Sequence, residues 1–116
     1  MNVAGRRQER LAEQIRDEVA QRLVRELKDP RLGLTTVTRV ELSSGRQHAR
    51  VLISVLGDGA AQPETLEGLA SARGYIRQEI AHRLCLRRAP EMVFVLDRGA
   101  EASEKIEELL RKLHET

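Results

Sequence analysis

A chain of 116 residues with 41% hydrophobic and 33% charged side chains is the size of one domain and can bury a core without disulfides or metals. One Phe, one Tyr and no Trp leave that core to Leu, Val, Ile and Ala, and argue against an aromatic platform for stacking unpaired bases. The lone Cys85 excludes an internal disulfide. No leader-like segment opens the chain and no stretch approaches the roughly 18 apolar residues of a membrane span, so a cytoplasmic protein is expected.

Twenty Lys+Arg oppose 18 Asp+Glu, a net charge of +2, too small by itself to imply a polyanionic partner. All but three of the twenty are Arg, the side chain that holds phosphate in a bidentate fork. A GC-rich genome gives the same bias, so the placement of the charges has to decide.

In chain order, 6–28 reads as a helix. Leu11, Ile15, Val19 and Leu23 recur at four-residue steps, Ala12, Val24 and Leu27 widen the stripe, and charged residues including Arg22 fill the other faces. Asp29-Pro30 ends it, because the residue before proline is pushed out of the α region. Thr35, Thr36, Val37, Thr38 and Val40 favour a strand over 34–42. After the turn residues Ser43-Ser44-Gly45, the stretch 47–56 alternates, with Ala49, Val51, Ile53 and Val55 on one face and His48, Arg50, Leu52 and Ser54 on the other. The pair predicts an antiparallel hairpin.

Helical spacing returns over about 63–86, carried by Leu66, Leu69, Ala72, Ile76, Ile80 and Leu84. Gly68 and Gly74 lie inside it, each costing about 1 kcal/mol relative to Ala, which predicts a break or kink. A third strand is expected over 91–96, with Met92, Phe94 and Leu96 on one face. Ser103 can cap a final helix whose stripe is Ile106, Leu109, Leu110 and Leu113. A three-stranded sheet with helices packed on one face is the simplest two-layer solution for these elements.

Catalytic chemistry has no support in these residues. His48, His82 and His114 show no ligand-pair spacing, Gly57-Asp58-Gly59 lacks the Gly-Lys-Ser/Thr of a phosphate loop, and Asp29, Glu41, Asp58 and Asp97 fall at element ends as turn and cap residues. Cys85, between Leu84 and Leu86, reads as a buried small hydrophobe. The strongest signal is basic. Arg73, Arg77, Arg83, Arg87 and Arg88 are opposed in their span only by Glu79, and Arg73 and Arg77 share a helix face. Such a cluster suits several phosphates of a nucleic-acid backbone; solvated helix charge is the bland alternative. Arg6, Arg7 and Arg10, set against an acidic C-terminal segment with Glu101, Glu104, Glu107 and Glu108, make the distribution uneven and favour a polyanion. Small residues flank Arg73 in Ala72-Arg73-Gly74-Tyr75, so another backbone can approach there, unless the glycine serves only to relieve crowding within the fold.

Several segments together resemble the ribosome-binding factor A family. Lys28-Asp29-Pro30-Arg31 is similar to its Asp-Pro-Arg after the first helix. Thr36-Val37-Thr38-Arg39-Val40 and Ala49-Arg50-Val51 sit where its first two strands belong. Ala72-Arg73-Gly74-Tyr75-Ile76-Arg77 resembles its Ala-x-Gly kink, and 86–94 its Leu-Arg and Pro-Glu-hydrophobic-x-Phe strand, followed by Asp97. Gly45-Arg46 departs from the Asp-Leu pair common at the entrance to the second strand, and the C-terminal segment is short and acidic. The resemblance spans roughly 6–113. It implies an α+β fold: a type II KH-like α-β-β-α(kink)α-β domain with a C-terminal helix, one domain over 1–116 with its core at about 6–97 and the last helix at about 102–114. It implies binding to the precursor of the small (30S) ribosomal subunit and its 16S rRNA, assistance in late maturation of that rRNA, and no enzymatic activity. No cofactor, metal, small-molecule substrate or membrane is expected, and a monomer is. The RNA-binding candidates are Ala72, Gly74, Arg73, Arg77 and Arg31 from the resemblance, with Arg83, Arg87 and Arg88 from the charge pattern. The competing readings are a protein-interaction domain of the same fold without an RNA role, and an rRNA-processing enzyme that lacks any acid–base or metal constellation.

Overall fold

The computed structural model describes residues 3–25, 27, 32, 34–57, 60–99 and 109–113. Its elements are α1 (Val3–Arg25), β1 (Leu34–Leu42), β2 (His48–Leu56), α2 (Ala61–Arg83) and β3 (Glu91–Leu96), with a short 3-10 turn, Ser44–Arg46, between β1 and β2. The fold is α+β, and its three strands form one sheet in the order β1-β2-β3. β1 and β2 pair antiparallel, as the hairpin reading expects, whereas β2 and β3 pair parallel. A helical connection between neighbouring strands produces that arrangement, since the chain must cross back before it can run in the same direction.

Both helices cover one face, α1 mainly over β1 and α2 over β2 and β3. Ala49, Val51 and Ile53 of the central strand are fully buried there. They meet Leu11, Ile15 and Val19 of α1, Leu69, Ile76 and Ile80 of α2, Val37 and Val40 of β1, and Met92 of β3. Leu52 is also buried although it points to the opposite face; its register neighbours are Arg39 and Val95.

β1 carries an irregularity between Val37 and Arg39, leaving Thr38 as the extra residue. The Thr38 hydroxyl donates to Asp97 Oδ2 at 2.7 Å, while Asp97 Oδ1 accepts from the Gly99 N–H at 3.1 Å. Asp97 is thus the turn residue its position suggests, and it ties the end of β3 to the bulge in β1.

Four expectations change. First, α2 is a single helix of 23 residues that runs through Gly68 and Gly74 without interruption. Two glycines at about 1 kcal/mol each are outweighed by burying Leu69, Ile76 and Ile80, each worth about 2 kcal/mol. Second, Cys85 is exposed, not buried. It sits just past the end of α2 with φ +54°. Its N–H bonds to His82 O at 3.4 Å and that of Leu86 to Ala81 O at 2.9 Å, the pair of bonds that closes a helix in a Schellman motif. The helix therefore stops on a left-handed residue well before Pro90.

Third, Arg22 belongs to the core side of α1, with its side chain 2% exposed, while Val24 is 84% exposed. Arg22 lies three residues beyond Val19, in line with the apolar stripe. Its guanidinium reaches Glu18 Oε2 at 3.7 Å and Glu79 Oε2 at 3.8 Å, joining α1 to α2. Fourth, in the described part of the last helix, 109–113, Leu109, Leu110 and Leu113 are exposed, so these three leucines are not buried on the sheet. Ser103 and Ile106 lie outside the described residues.

Two stability changes of opposite sign are expected in urea unfolding. Arg22→Ala opens a cavity and strips two carboxylates of their partner, and should cost about 3 kcal/mol, with Arg22→Met costing less than half of that. Cys85→Gly removes a left-handed penalty and should add about 1 kcal/mol.

Candidate nucleic-acid interface

The buried stripe of α2 fixes where its basic residues point. Residues three and four apart share a helix face, so Arg73 and Arg77 project from one flank of the stripe. Arg73 is exposed. Arg77 is half-buried, and its Nε donates to Ala89 O at 3.1 Å, holding the chain between α2 and β3 against the helix. Arg87 and Arg88 are both exposed in that connection. Among the described residues no carboxylate lies within ion-pair distance of Arg73, Arg87 or Arg88. Arg83 is separate from this set: its Nε is 4.0 Å from Glu79 Oε2, the carboxylate that also meets Arg22 on the α1 side. Arg31 lies outside the described residues.

Ala72 is half-buried against the core, and Gly74 is exposed. A Cβ built on Gly74 meets nothing within 4 Å, so relief of internal crowding does not account for this glycine. It sits in a continuous helix where Ala is the better residue, beside an arginine with no carboxylate partner among the described residues. Tyr75 is 43% exposed; it is outside the core, and two residues from Arg77, about 200° around the helix, it does not share the basic flank.

A groove of about 620 Å³ lies at the foot of this flank, lined by Arg46, Gln47, His48, Arg77, Arg88 and Glu91 together with Gly45 and Ala89. Parallel pairing explains it. With His48 opposite Glu91 in the register, the turn that enters β2 and the loop that enters β3 emerge at the same end of the sheet. Glu91 N–H bonds to Gln47 O at 2.9 Å, and His48 Nε2 lies 3.6 Å from Glu91 Oε2. Arg77 and Arg88 thus meet in one groove, whereas Arg46 and His48 are additions that the basic-run argument misses. The signal is available in the sequence: a helix between two strands implies parallel neighbours, which brings the residues before each strand side by side.

Among the described residues no group of three His, Cys, Asp or Glu side chains is placed to hold a metal ion. No described helix is long and apolar enough to cross a membrane.

Comparison with known proteins follows the same lines. The family model for Ribosome-binding factor A matches residues 7–110. The chain belongs to this family. A ribosome-binding factor A from Acaryochloris marina is 46% identical over 111 residues, spanning 94% of this chain and 80% of the relative. The crystal structure of ribosome-binding factor A from Thermus thermophilus superposes with a TM-score of 0.70 at 27% identity, covering 78% of this chain and 97% of that one. A homology model of the Thermus thermophilus factor, fitted into the cryo-EM map of its 30S complex, gives 0.64 at 28% identity, covering 78% and 96%. With an α-β-β-α-β order and a mixed three-stranded sheet, the fold is the KH-like one the family resemblance implies.

The open space at Gly74 has a measurable consequence for the isolated protein. Gly74→Ala should raise stability by about 0.5–1 kcal/mol, because it improves helix propensity and meets no neighbour; the shift in urea midpoint measures it.

Proposed function

We propose that this chain is a ribosome assembly factor that docks on the precursor of the small ribosomal subunit through its 16S rRNA, and assists late maturation of that rRNA without catalysing a reaction. The observation that carries the reading is the exposed glycine of α2 with Arg73, Arg77, Arg87 and Arg88 beside it. Among the described residues that face has charge without carboxylate partners, and it has a point where a helix backbone lies open to close approach. Both are properties a phosphate backbone exploits and a free-standing domain does not need. The likeness to a factor fitted in a 30S complex supports the choice of the small subunit as partner.

In this reading arginines along the flank contact successive phosphates and set orientation, with little sequence discrimination. Gly74 and the small Ala72 let the strand lie against the helix. Arg83 and Arg31 stay in the proposal as outlying contacts, Arg83 from beside Glu79. Docking favours the rRNA conformation that fits this face, which is how a protein without catalytic groups moves an assembly equilibrium. The factor acts as a monomer in the cytoplasm and requires no cofactor.

Sedimentation with small subunits tests the proposal. Wild type should travel with the subunits at about 50 mM salt and dissociate by about 200 mM, as counterion release dictates, and Arg73→Glu/Arg77→Glu should stay at the top of the gradient. Gly74→Ala should bind less tightly despite its greater stability. Association that persists in high salt and tolerates the double variant would instead indicate docking on a ribosomal protein.

A further inference from the structure

The turn between β1 and β2 stands out for its backbone. Gly45 has φ 80° and ψ 2°, the left-handed conformation that the third residue of a type II turn requires. Arg46, next to it, has φ +58°. A non-glycine residue in that region is disfavoured, and such residues cluster where the surroundings hold them for a purpose.

The turn is firmly held. Ser43 N–H bonds to His48 O at 2.9 Å, Arg46 N–H to Ser43 O at 3.0 Å, and His48 N–H to Ser43 Oγ at 3.0 Å. From α1, Gln8 Nε2 donates to Leu42 O and Ser43 O, each at 3.2 Å. Residues on three elements thus fix Arg46 at the rim of the groove that Arg77 and Arg88 line from the other side. The groove presents three guanidinium groups against one carboxylate, Glu91, which faces His48. Among the described residues no carboxylate comes within ion-pair distance of Arg46 or Arg88. A groove of about 620 Å³ is within the range of sites that enclose a small ligand or one nucleotide.

We propose that the β1–β2 turn is a second arm of the RNA site: Arg46 and Arg88 grip one backbone phosphate between them, across the groove from the flank of α2. Arg77, besides its place on the flank, sets the loop that carries Arg88 through its bond to Ala89 O. The ligand is a phosphodiester of a single RNA strand that runs from Gly74 along Arg77 to the end of the sheet. The left-handed Arg46 is then a site where stability is given up for binding. This inference rests on the RNA-docking reading above and extends it to residues outside α2.

The test uses the full chain, purified small ribosomal subunits as the probe, and the variants Arg46→Gly, Arg88→Gln and both together. Arg46→Gly should raise the thermal midpoint by roughly 2–5 °C, since glycine adopts φ +58° without strain. It should also weaken subunit binding roughly five-fold at low salt, and lower the slope of log K against log salt by about 0.7, the value for one phosphate contact to a single strand. If both arginines hold the same phosphate, the double variant should lose less than the product of the two single losses. An Arg46→Gly protein that is folded and binds subunits with wild-type affinity and salt slope overturns the proposal and leaves α2 docking intact. Loss of inorganic phosphate binding in that variant, with subunit binding unchanged, would mark a free-anion site and also overturns it. A wild type that binds no subunits removes the RNA-docking reading and this inference with it.

Discussion

The arrangement depends on one constraint, the burial of α2 across the parallel pair of β2 and β3. Leu69, Ile76 and Ile80 have no exposed surface, and together they bring about 6 kcal/mol of apolar burial to a helix whose own composition is unfavourable. That burial keeps the helix continuous through two glycines and fixes its rotation. Rotation in turn decides that Arg73 and Arg77 share an open flank while Glu79 faces α1. The crossover that α2 makes also brings the entrance of β2 beside the entrance of β3, and so creates the basic groove.

The α1–α2 contact acts as a second fixture on the same helix. Among the described residues Arg22 is the largest fully buried side chain, and it bridges Glu18 on its own helix to Glu79 on α2. An apolar residue of similar size would fill that volume at least as favourably. A charged residue there adds direction, because its partners lie at defined points on two helices and a rotated α2 would lose them. Glu79, the one acidic residue in the basic span, is therefore occupied on the α1 side and does not neutralise the flank that carries Arg73 and Arg77.

Much of this is legible in the sequence, and the exceptions have physical causes. The hairpin, the third strand and the alternation of β2 follow from period-two patterning, which depends only on which side chains are apolar. Helix boundaries move by a few residues because capping hydrogen bonds, such as the pair around the left-handed Cys85, set the true end. Propensity alone predicts the break in α2, and burial outweighs it. Charge alone places Arg22 on the solvent side, although its spacing from Val19 puts it on the stripe. The basic run from Arg73 to Arg88 is visible as composition, but its division into a flank without a described carboxylate partner and an Arg83 held near Glu79 requires the neighbouring helix. Arg46 stands out in the sequence only as a departure from a family pattern, because nothing local to a turn reveals what a parallel sheet places beside it.

The central claim is that the flank of α2 around Gly74 is the face that meets rRNA. A cryo-EM structure of this chain bound to the small-subunit precursor, at a resolution that shows side chains, tests it most directly. The account predicts rRNA phosphates within ion-pair distance of Arg73, Arg77 and the loop carrying Arg88, with an rRNA backbone against Gly74 and the exposed leucines of 109–113 away from the RNA. A complex in which that flank faces solvent, while α1 or the 109–113 segment makes the contacts, would contradict it.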